Sequence, residues 1–132
     1  LQLGETKMQG VARLFITTAI LFALAGMALG LHMAISGDHG QHPTHAHIML
    51  AGWVSMALMG LFYHHFPALN LSVMARVQFW VTALSAVLMC MSLIFLYGGN
   101  PAVEPGAAIG SIGFLLGMLL FAYNALGTIW RT

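Results

Sequence analysis

Three closely spaced histidines carry most of what this chain can do chemically. They lie in the stretch His42-Pro43-Thr44-His45-Ala46-His47-Ile48-Met49-Leu50-Ala51-Gly52-Trp53. Histidine is rare inside membrane-length helices and is usually functional there. A neutral imidazole ligates haem iron, copper or zinc. On a helix turning about 100° per residue, Met49, Gly52, Met56 and Tyr63 return near the face of His45, while His47 points nearly the opposite way. One imidazole then stands above a strip that is narrow at Gly52 and soft at Met56. That shape suits a flat macrocycle, so His45, Met49, Gly52 and Met56 form a candidate haem b site. The second ring nitrogen of His45 needs a hydrogen-bond partner to fix its tautomer. The preceding loop carbonyls or Asp38 can supply one.

A six-coordinate haem needs a second axial ligand. His32 is the first candidate, His47 the second, and a histidine of a neighbouring subunit the third. His32 reads equally well as an interfacial residue at a helix end. His39 and His42 read as solvated loop residues, or, with His45 or His47, as a copper or zinc site. His64 and His65 read as an interfacial pair. No histidine stands opposite them on the other spans, which argues against a second haem within one chain.

The elements that must position these residues are apolar helices. Of 132 residues, 60% are hydrophobic and only 5% charged, against about 25% charged in soluble domains; mean hydropathy is +0.89. The composition is that of an integral membrane protein with one domain. Spans are expected over residues 10–35, 43–66, 71–97 and 104–130, each long enough to cross roughly 30 Å of hydrocarbon. The fold expected is an all-α, up-down bundle of four transmembrane helices. Residues 1–9, with Glu5 and Lys7, read as a short polar arm. Residues 36–42 form a polar loop, and Pro43 suits a first helical turn. Pro67 stops the second span, and Gly98-Gly99-Asn100-Pro101 stops the third. Gly26 and Gly30 permit close approach. Gly106, Gly110, Gly113 and Gly117 make a glycine stripe on the fourth span, a close-packing surface.

Lys7, Arg13, Arg76 and Arg131 fall at one end of such a bundle, and Asp38 and Glu104 at the other. By the positive-inside rule both termini are cytoplasmic. The histidine-rich loop then faces the periplasm of a bacterial-type inner membrane. The first apolar run is too long for a secretory signal, and a start at Leu1 reads as a processed or trimmed end. A net charge of +1 gives no case for nucleic acid. The single cysteine, Cys90, excludes an intramolecular disulfide and a multi-cysteine zinc site; it and the ten methionines read as packing. Asn124, Ser85, Ser92, Thr82 and Ser111 are expected to make helix–helix or backbone hydrogen bonds. No carboxylate lies mid-span, there is no Ser–His–Asp set and no phosphate-binding glycine loop. Any redox chemistry would be the cofactor's.

The run from His45 to Pro67 resembles the second transmembrane helix of the catalytic subunit of haem–copper oxidases and nitric-oxide reductases. It covers about a fifth of the chain. His45 matches that family's low-spin haem ligand, Ile48-Met49-Leu50 the run after it, and Phe66-Pro67 the end. The resemblance implies His45 as a haem ligand. That family's second low-spin ligand and copper ligands come from later helices, which this sequence lacks, and it has no tyrosine–histidine copper motif. Oxygen reduction by the chain alone is therefore not implied.

Three functions are in play. The first is a homo-oligomeric b-type haem protein, a dimer or trimer, that transfers electrons to a respiratory redox partner or binds a diatomic gas. The second is a copper- or zinc-binding protein built on the outer histidines, with Met27, Met33 and Met49 nearby. The third is a cofactor-free accessory subunit of a respiratory complex, docking through the glycine stripe.

Overall fold

The structure, a computed structural model, describes residues 7–131; the arm residues before Lys7, Glu5 among them, lie outside the described residues. Four long helices follow one another: α1 (Gly10–Ser36), α2 (His42–His65), α3 (Val73–Leu96) and α4 (Glu104–Ile129). All four are long and apolar enough to cross a membrane. Short connections make neighbours antiparallel.

The helix ends have local causes. Gly37 closes α1 in the left-handed conformation, φ 74°, with its N–H donating to the Met33 carbonyl. Phe66, preceding Pro67, is driven out of the helical region to φ −127° and ψ 81°, so α2 stops at His65. Residues Pro67–Asn70 form a single helical turn. Ser72 then caps α3, its hydroxyl accepting from the Ala75 N–H at 3.1 Å. This cap delays α3 by two residues relative to the expected start. Asn70 caps α1 from across the bundle. Its Oδ1 accepts from the Ala12 N–H at 2.8 Å, and its Nδ2 donates to the Gln9 carbonyl at 2.7 Å.

α2 is not regular. Residues Ile48–Ser55 are π-helical, between an α-helical first turn and an α-helical second half. The Ser55 hydroxyl donates to the Leu50 carbonyl, five residues back. Wider turns change the phase of the helix. The buried residues of α2 are Thr44, Ile48, Gly52 and Met56, four apart, and then Met59, Gly60 and Tyr63.

Two hairpins, α1–α2 and α3–α4, pack through small residues, as membrane helices do. A Cβ at Gly60 would lie 3.0 Å from Phe15 and Ile16 of α1. A Cβ at Gly110 would lie 2.6 Å from the Met89 backbone nitrogen of α3. Gly106, Gly113 and Gly117 abut Ser92, Ser85 and Thr82. The glycine stripe of α4 is therefore occupied by α3 of the same chain and is not an outward docking face. The hairpins meet around Phe15, Met56, Tyr63 and Phe79, which are buried together. Phe15 stacks on Tyr63 at 5.7 Å and meets Phe79 edge-on at 4.9 Å. The outer faces are apolar: Leu21, Leu24, Leu58, Leu84 and Ile109 are each 62% exposed. Exposed apolar residues on every helix suit hydrocarbon, not water.

Candidate functional site

His45 sits in the first turn of α2 and turns its ring onto α1. Its Nδ1 lies 2.8 Å from the Gly26 carbonyl oxygen. Only a donor can satisfy that oxygen, so the proton sits on Nδ1 and the lone pair on Nε2. A metal-ligating histidine has this arrangement, its far nitrogen fixed by a carbonyl. No hydrogen bond to Nε2 occurs among the described residues. Gly30 makes room for the ring, since a Cβ there would stand 2.8 Å from His45 Cε1. The Asp38 carboxylate, by contrast, accepts from the Gly40 N–H.

The start of α2 is held from a second direction. Thr44 is fully buried, and its hydroxyl donates to Gln41 Oε1 at 2.7 Å. Gln41 Nε2 donates to the Ile94 carbonyl at 2.9 Å. His45 is thus fixed between α1 and the end of α3 before the π-helical segment begins.

The other histidines go elsewhere. His47 is exposed, its Nδ1 2.7 Å from the Pro43 carbonyl of its own turn. His39 Nδ1 lies 3.2 Å from the Gly37 carbonyl. His42 is exposed. His32 is exposed and lies about 200° round α1 from Gly30, so it does not face His45. His64 and His65 are neighbours with ring centroids 6.2 Å apart. Among the described residues no group of three or more His, Cys, Asp or Glu is placed to hold a metal ion.

The strip beneath His45 differs from its sequence-based description. Met49 packs onto Gly26, and the Phe22 ring fills the space that Gly52 leaves. Met56 is fully buried in the core. Beside it, an apolar groove of about 260 Å³ is lined by Leu21, Phe22, Ala25, Ile48, Val87, Cys90, Met91 and Ile94. That is small against the roughly 300–1,000 Å³ of ordinary ligand pockets, and His45 does not line it. The test of fit for haem therefore divides. The donor set at His45 fits an axial ligand; an enclosing cavity within one chain does not accompany it.

A second polar cluster lies toward the opposite end. Gln78, fully buried, donates from Nε2 to Thr82 Oγ1 at 2.8 Å and to the Gly117 carbonyl at 3.2 Å. The Tyr63 hydroxyl donates to Gln78 Oε1 at 3.0 Å and accepts from Asn124 Nδ2 at 3.1 Å. α2, α3 and α4 are joined here. Thr82, Asn124 and Ser111 bond as expected, Ser111 to the Ala107 backbone carbonyl. Gln78 is the member that sequence reasoning passed over. Its signal was present: a single amide between Val77 and Phe79 in an apolar run, where a polar side chain must find a partner. Every buried side-chain nitrogen and oxygen among the described residues has a partner.

Comparison with protein-family models, curated proteins and solved structures finds no match to this chain.

Proposed function

We propose that the chain is an integral membrane b-type haem protein with His45 as an axial ligand, serving electron transfer or diatomic-gas binding. The observation that carries this reading is the 2.8 Å contact of His45 Nδ1 with the Gly26 carbonyl, which leaves Nε2 as the bare donor. Haem, when bound, supplies a one-electron couple and a coordination position for a second ligand. The chain's own residues do the positioning. The Gly26 carbonyl fixes the imidazole tautomer, Gly30 leaves room for the ring, and the Thr44–Gln41–Ile94 chain holds the first turn. The π-helical segment below sets the rotation of that turn, a placement common at functional sites.

Because Phe22 and Met49 fill the strip under His45, haem held by His45 would need room outside the α1–α2 seam. A second copy of the chain would supply that cover, in a dimer or trimer. His32 and His47 are exposed and are the residues a neighbouring copy can offer as the second ligand. A respiratory redox partner is the alternative cover. The chain spans a bacterial-type inner membrane with both termini cytoplasmic and the histidine loop periplasmic. Lys7, Arg13, Arg76 and Arg131, all at one end, support that orientation.

The test is haem content after expression with ample haem and purification in mild detergent, read as the pyridine haemochrome. Wild type and the His39→Ala and His42→Ala variants retain haem b, and His45→Ala loses it. Equal haem in wild type and His45→Ala would contradict the assignment. Copper or zinc without porphyrin, lost in His39→Ala or His42→Ala, would replace it with a metal site on the outer loop.

A further inference from the structure

A pocket of about 190 Å³ opens between the first turns of α1 and α3, lined by Gly10, Val11, Arg13, Leu14, Asn70, Leu71 and Arg76. Arg13 and Arg76 come from different helices and meet at this one cavity. Both sit in the opening turns of their helices, where the peptide dipoles disfavour a cation. Neither helix has an acidic residue in its first turn. The described carboxylates are Asp38 and Glu104, and both lie at the far end of the bundle. Two arginines therefore line one pocket with no carboxylate at their end among the described residues. The Asn70 amide beside them is neutral and carries no charge to offset theirs; it caps α1 through Ala12 and Gln9.

We propose that this pocket binds a phosphate group, held between Arg13 and Arg76. A guanidinium matches phosphate oxygens bidentately. At about 190 Å³ the pocket has room for a phosphate. Its position at the end of two membrane-length helices, with Leu14 and Leu71 beside it, suits the headgroup of an anionic phospholipid. Inorganic phosphate offers the same oxygens. The proposal is independent of the haem reading.

The experiment is native mass spectrometry of the intact chain in mild detergent, with dioleoyl phosphatidylglycerol or dioleoyl phosphatidylcholine added. A parallel melting series uses inorganic phosphate. The variants are Arg13→Gln, Arg76→Gln and Arg131→Gln. All three arginines are exposed, so glutamine leaves the packing intact. Arg131 lies at the same end but does not line this pocket, which makes its variant the control for bulk charge. The expected result is retention of phosphatidylglycerol over phosphatidylcholine, weakened about tenfold or more by Arg13→Gln or Arg76→Gln and unchanged by Arg131→Gln. Stabilisation by inorganic phosphate, lost in the same two variants and without lipid selectivity, would keep the site and identify free phosphate as its ligand. Equal loss in all three variants, or loss in none, would overturn the proposal.

Discussion

Gly110→Ala tests the packing within the α3–α4 hairpin with a single methyl group. The added Cβ would stand 2.6 Å from the Met89 backbone nitrogen, 2.7 Å from its Cα and 2.8 Å from its Cβ. Two of these atoms are backbone and cannot rotate away. Restoring a separation of about 3.5 Å requires α3 and α4 to part locally by roughly 0.9 Å. The parting reaches the Gln78 Nε2 bond to the Gly117 carbonyl, already 3.2 Å long, two turns further along α4. Overpacking of this size costs about 1–3 kcal/mol, and a lost buried hydrogen bond adds about 1 kcal/mol. A destabilisation of about 2–4 kcal/mol follows. Gly127→Ala is the control: no heavy atom lies within 4 Å of its Cβ position, so its effect stays within about 0.5 kcal/mol. Cys90, buried at 4% exposure on α3, supplies the assay. A thiol-reactive fluorophore labels it only as the bundle opens, and melting curves in mild detergent report the order of stability. Wild type and Gly127→Ala melting together, with Gly110→Ala well below, is the expected pattern. Gly110→Ala melting with wild type would refute the close-packed α3–α4 seam.

Gly30→Val places branched carbon where the His45 ring lies; haem retention on gel filtration should fall toward that of His45→Ala while the fold, by circular dichroism, persists. Gln78→Leu removes the hub of the α2–α3–α4 cluster and should cost about 2–3 kcal/mol in the same Cys90 melts, a value near zero counting against the cluster's role in stability. Asn70→Ala deletes the cap of α1 at Ala12 and should cost about 1 kcal/mol, seen as faster amide exchange confined to the first turn of α1.

The four spans were legible because hydropathy and punctuation agree. Pro67 and the Gly98-Gly99 pair mark chain reversals that no apolar run can cross, and the observed ends fall within two residues of those expected. The rotation of α2 was not legible. A reading at 3.6 residues per turn puts His45, Met49, Gly52 and Met56 on one face. The π-helical segment instead lines up Thr44, Ile48, Gly52 and Met56 as the buried row, with His45 and Met49 against Gly30 and Gly26. Glycine positions show where backbones can approach but not which neighbour arrives. Gly52 received the Phe22 ring, and the α4 stripe received α3, because the short Gly98–Val103 connection keeps those helices adjacent. Asn70 read as a turn residue because its partners, Ala12 and Gln9, lie some sixty positions away. The carbonyl partner of His45 lay on α1, at Gly26, and not in the loop, because a contact nineteen residues away leaves no mark on the local sequence.

The most direct measurement of the central claim is the absorption spectrum of the detergent-purified chain, oxidised and then reduced with dithionite. The expected result is a Soret band that moves on reduction and disappears in His45→Ala. Sharp reduced α and β bands would identify two axial ligands, and a spectrum shifted by carbon monoxide would identify one. A featureless spectrum, from protein prepared with haem in excess and shown to be folded by its Cys90 protection, would contradict it.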